Sequence, residues 1–108
     1  MKLFCLALFA VAQAAAQDAT VTAYCHCARC CGVAYGPAAN GHRPIVGLTV
    51  AGPRWIPLGT RIYIEGIGLR IVTDRLAPAF DARFDLFVAD HRTAQHFGLQ
   101  RRRITILK

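Results

Sequence analysis

The sequence predicts a small closed β-barrel that carries one brief helix. Three observations lead to this class. Six short β-rich runs recur at fairly even spacing, turn residues punctuate them, and a single segment has helix-capping residues at both ends.

The first run is "TVTAY" at residues 20–24, and the second is "IVGLTV" at residues 45–50. "RWIPLGT" follows, and its Pro57 and Gly59 mark a turn. In "TRIYIEG" (60–66), Arg61, Tyr63 and Glu65 alternate with Ile62 and Ile64, the period of two that a half-buried strand requires. "EGIG" is a tight hairpin connection into "LRIVTD" (69–74). "RFDLFV" (83–88) and "RITILK" (103–108) supply the last two strands. Between them lies the helix, "DHRTAQHFG", where Asp90 caps the first turn and Gly98 ends the last.

Residues 1–16 stand apart from this pattern. Lys2, an apolar run and an alanine-rich exit ending at Ala14 or Ala16 have the layout of a secretory signal peptide. The expected organisation is a leader over 1–16 and one barrel domain over 17–108, exported to the periplasm, the outer membrane or the exterior. No stretch of the domain approaches spanning length. Thirteen Lys and Arg face six Asp and Glu, a formal net charge of +7, which favours an anionic partner such as a cell-wall polymer. Export and the absence of any nucleic-acid motif argue against nucleic acid. "RRR" at 101–103 reads as a solvated strand entry.

"YCHCARCCG" crowds Cys25, Cys27, Cys30 and Cys31 into one loop. In an exported domain these are expected to form two disulfides. Vicinal Cys30 and Cys31 are poorly placed to bridge each other, so each would pair with Cys25 or Cys27. Zinc is the alternative, through Cys27-x-x-Cys30 with His42 as a distant ligand. Against it, structural zinc sites usually draw their ligands from separate segments. Thioredoxin-like redox chemistry is a third reading, but it lacks its strand–helix context. The expectation is therefore no zinc, no other cofactor and no free thiol.

"VTDRLAPAFDARFDLF" places Asp74, Asp81 and Asp85 in a largely apolar run. Taken alone, the pattern allows ordinary surface charges. On one strand Asp81, Arg83 and Asp85 would share a face, with Arg83 neutralising both acids and Arg75 serving Asp74. His91 is read as the exposed start of the helix, and His96 as packed near its end. Tyr35 and Trp55 are aromatic candidates for stacking on sugar faces.

Four segments, "VTAYCHCARCCG", "VAGPRWIPLGTRIYIEGIG", "VTDRLAPAFDARFDLF" and "AQHFG" followed by "RITIL", together resemble the 3D (three-aspartate) domain, which is similar to the C-terminal domain of MltA-type lytic transglycosylases. The resemblance implies a double-psi β-barrel, export, and peptidoglycan glycan strands as the partner. The implied reaction is nonhydrolytic cleavage between N-acetylmuramic acid and N-acetylglucosamine. The family's second aspartate falls on Asp74, a catalytic candidate expected to assist Asp85 by like-charge repulsion that raises its pKa or by hydrogen bonds that orient the sugar. The family's third, the acid/base of the transglycosylases, falls on Asp85 of "FDLF". Apart from the family's pattern, Arg75 and Arg83 beside the acids and Trp55 as a stacking aromatic are the expected substrate contacts. The first aspartate falls on Gly52, a threonine of the family falls on Ala38, and paired glycines fall on Leu76 and Ala77. A noncatalytic glycan-binding module of the same fold is therefore the alternative function.

Overall fold

A computed structural model describes residues 14–31 and 36–107, with Ala14, Cys30 and Cys31 described in backbone only. The leader expected over 1–16 lies outside these residues up to position 13, as does Tyr35. Ala14–Ala16 form the first positions of a strand.

Six strands close into a barrel: β1 (Ala14–Tyr24), β2 (Thr49–Gly52), β3 (Arg61–Ile64), β4 (Gly68–Arg75), β5 (Phe84–Phe87) and β6 (Gln100–Leu107). Around the barrel the order is β1-β5-β2-β4-β3-β6, and β6 returns to β1. β1 pairs with β5, and β2 with β4, in parallel. The contacts β1/β6, β2/β5, β3/β4 and β3/β6 are antiparallel. This is the mainly β, six-stranded architecture with a short helix that the sequence predicts.

Each strand follows from its residues. In β3, Arg61 and Tyr63 are exposed while Ile62 and Ile64 are fully buried, so the alternation in the sequence is the alternation across the barrel wall. Val21, Val50, Val72, Phe84, Leu86 and Ile104 point inward with them and fill the core. Burying each such side chain contributes about 1.5–3 kcal/mol. The β3–β4 connection needs left-handed backbone, which Gly66 (φ 80°) and Gly68 (φ 121°) supply.

The expected helix is α2 (His91–Phe97). Asp90 caps it by accepting from the Thr93 amide at 2.8 Å, and Ala94 docks it on the core. Three local differences from the sequence expectations stand out. β1 begins well before "TVTAY", because Ala14–Ala19 pair with Arg102–Leu107 of β6. Residues 45–48 form a turn, and only the end of "IVGLTV" is strand. The loop after β1 contains one helical turn, α1 (Ala28–Cys31). Among the described residues no helix is long and apolar enough to cross a membrane.

Candidate functional site

The outer face of β1, β5, β2 and β4 forms the floor of the site. Cross-strand register sets Thr22 of β1 beside Asp85 of β5, Asp85 beside Ala51 of β2, and Ala51 beside Asp74 of β4. Paired residues share a face, so both acids lie on the same side of the sheet with Ala51 between them. Two strand spacings separate their backbones, roughly 9.5 Å.

A β-bulge makes this arrangement possible. Val50 pairs with Val72, yet Ala51 pairs with Asp74, which leaves Thr73 as the extra residue on β4. Without it Asp74 would fall opposite Gly52, in the inward row. One inserted residue reverses the facing of everything after it. Two bonds anchor the bulge: the Thr73 hydroxyl donates to Thr49 Oγ1 at 3.3 Å, and the Asn40 amide donates to the Thr73 carbonyl at 3.1 Å.

The acids line one groove of about 830 Å³, together with Thr22, Tyr24, His26 and Arg83. That volume is in the range of small-molecule sites, ~300–1,000 Å³. Of its lining, Tyr24 and Ala51 form a small apolar cluster with the buried Phe87, against which Leu76 packs.

Asp74 is held rigidly. Its Oδ2 accepts from the Tyr24 hydroxyl at 2.6 Å, and its Oδ1 accepts from the amides of Ala39 and Arg75, each at 2.9 Å. It therefore pins the turn at residues 38–42 onto the sheet. Asp85 has different surroundings. Thr22 Oγ1 donates to its Oδ1 at 3.0 Å. Burial pushes its carboxyl above the ordinary value; the Thr22 bond and the Arg83 charge oppose this, and the Asp74 charge adds the smallest contribution. A half-buried acid that favours its protonated form, open to a groove, is equipped to give up a proton.

The other expected residues are distributed as follows. Arg83 lines the groove with its guanidinium 4.3 Å above the Phe80 ring, a cation–π contact. Arg75 also lines the groove, but its guanidinium donates to the carbonyls of Gly52, Pro53 and Ile56 and so braces the turn after β2. Trp55 sits in that turn, 61% exposed, and is not part of the groove lining. Asp81 is on a turn after a 3-10 segment (Pro78–Phe80) rather than on β5, and pairs with Arg54 at 3.4 Å instead of with Arg83. Ala38 is buried at the start of the turn that Asp74 pins. Gly52 faces the core, and a Cβ there would lie 2.9 Å from Val72 Cγ1.

Sequence reasoning did not single out Thr22, Tyr24 or His26. Their one signal was alternation: Thr22, Tyr24 and His26 share one side of the chain, and Cys25 and Cys27 take the other. His96 is exposed rather than packed, and His91 is half-buried rather than an open helix start. Among the described residues there is no disulfide between Cys25 and Cys27. The pairing expected for Cys30 and Cys31 involves side chains outside the described residues.

No protein-family model matches the chain, and no curated protein matches it either.

Proposed function

We propose that this protein is an exported peptidoglycan-cleaving enzyme of the lytic transglycosylase type, built on a double-psi β-barrel. The observation that carries the reading is Asp85, a carboxyl whose pKa is raised by burial, in the groove it shares with Asp74. Neither acid is tied to a guanidinium: Asp85 bonds to Thr22, and Asp74 to Tyr24 and two amides.

The chemistry needs one proton-transfer group. Protonated Asp85 donates to the glycosidic oxygen as that bond breaks, and an oxocarbenium-like centre develops on the muramic acid ring. The resulting carboxylate accepts the proton of the sugar's own 6-hydroxyl, whose oxygen closes on the anomeric carbon to give the 1,6-anhydro product. No water is consumed, so the second carboxylate of an ordinary glycosidase is unnecessary. Asp74 acts as a positioning residue through Tyr24 and the 38–42 turn. Arg83, which lines the groove, serves the anionic carboxylates of the substrate's peptide stems, in keeping with the chain's net charge of +7.

Digestion of purified murein sacculi tests this. Anhydro-ended muropeptides, lost by a factor of about 10²–10⁴ in Asp85→Asn, support it. Sacculus binding without release of any muropeptide refutes it and identifies a noncatalytic glycan-binding module.

A further inference from the structure

On the side of β1 away from the groove, Cys25, Cys27 and His91 come together. Their ligand atoms all lie within 4.8 Å of one another, and Cys27 Sγ is 3.5 Å from His91 Nδ1. We infer that these three side chains form a binding site for a zinc-type divalent cation, independent of the proposed glycan chemistry.

The geometry suits such an ion. Tetrahedral zinc, with bonds of about 2.3 Å to sulfur and about 2.0 Å to nitrogen, sets a sulfur–nitrogen edge of about 3.5 Å and a sulfur–sulfur edge of about 3.8 Å. The Cys27–His91 separation equals the first of these. Two thiols with an imidazole select zinc over hard cations such as calcium or magnesium. Both thiols come from one loop, but the ligand set does not, because His91 arrives from a second segment, 64 positions along from Cys27. His42, the distant ligand of the zinc alternative weighed from the sequence, is exposed on a turn and is not part of the group.

The fold fixes both halves of the site. Tyr24 ends β1 by accepting the Val88 amide on its carbonyl at 2.8 Å, so the exits of β1 and β5 are tied together. Cys25, at the β1 exit, is almost wholly buried in the core, and Cys27 packs against it. The Asp90 cap sets the first turn of α2 and with it the position of His91. A cation bound here joins the cysteine loop to α2. It also steadies His26, which lies between the two cysteines and faces the groove.

Cobalt titration of the full-length protein, kept reduced and free of chelator, tests the site. One equivalent should produce a thiolate-to-cobalt band and the intense visible absorption of a tetrahedral ion, with zinc displacing it stoichiometrically. Cys27→Ser and His91→Ala should each weaken cobalt binding tenfold or more, while His96→Ala leaves it unchanged. The unmodified protein gives a second readout: chelator should lower its thermal midpoint and zinc restore it. No band, a band that survives both substitutions, a midpoint insensitive to chelator, or native protein with Cys25 or Cys27 held in a disulfide would each overturn the inference.

Discussion

Gly52 sits where the resemblance aligns the first aspartate of the triad, and the structure gives a physical reason why no side chain stands there. The residue is buried in β2 and faces inward. A Cβ added to it would lie 2.9 Å from Val72 Cγ1, 3.3 Å from Val72 Cγ2 and 3.6 Å from Phe84 Cε2. Carbon atoms prefer about 3.5–4.0 Å, so the first two contacts are repulsive. Val72 cannot easily turn away, because a β-branched side chain is stiff about χ1 and its position is fully buried. Gly52→Ala should therefore destabilise the barrel by about 1–3 kcal/mol, the usual range for overpacking. In a domain of this size that lowers the thermal midpoint by roughly 5–20 °C. Urea unfolding followed by circular dichroism measures it. Val72→Ala removes the two methyls involved, so the double variant should recover about 1 kcal/mol relative to the sum of the singles. Gly52→Asp adds an unpaired carboxylate in the core and should fold less well than Gly52→Ala. Gly52→Ala as stable as the parent, or strict additivity with Val72→Ala, would refute the reasoning.

Three further outcomes are expected. Burial raises the Asp85 carboxyl above its ordinary value, so between the two values the folded protein holds a proton that the unfolded chain has released, and stability falls as pH rises through that window. Asp85→Asn should abolish that fall and be the more stable form at neutral pH; equal pH slopes in urea titrations of the two proteins would contradict this. Tyr24→Phe removes the 2.6 Å bond to Asp74 and should cost about 1–3 kcal/mol in urea unfolding, with sacculus digestion slowed as the 38–42 turn loosens. Arg75→Ala frees three carbonyls of the turn after β2, and limited proteolysis should then cut within residues 53–59 at a rate the parent does not show.

The barrel was legible in the sequence because its strands carry their own pattern: Ile62 and Ile64 alternate with Arg61 and Tyr63, and Asp90 and Gly98 bracket α2. The start of β1 was not, because "AAAQD" has little preference for extended structure and is held there by β6. Asp85 could be anticipated from its apolar neighbours Phe84, Leu86 and Phe87. That Asp74 shares its face depends on the bulge at Thr73, a register shift that leaves no mark in the periodicity. The Tyr24–Asp74 bond joins residues 50 positions apart, and the Cys27–His91 contact joins residues 64 apart. Pairings at such separation belong to the closed barrel and not to any local run.

β6 closes the barrel by lying between β1 and β3. Until residues 100–107 have emerged from the ribosome, both neighbours keep a bare edge, and nascent protein ending earlier presents two templates for sticking to other chains. Closure of the barrel thus depends on β6, which gives β1 its antiparallel neighbour some 80 or more positions along the chain, after β5 has become available as its parallel one. Pairing across so much intervening chain costs loop-closure entropy before it is rewarded, which makes joining the two rims a slow step of folding.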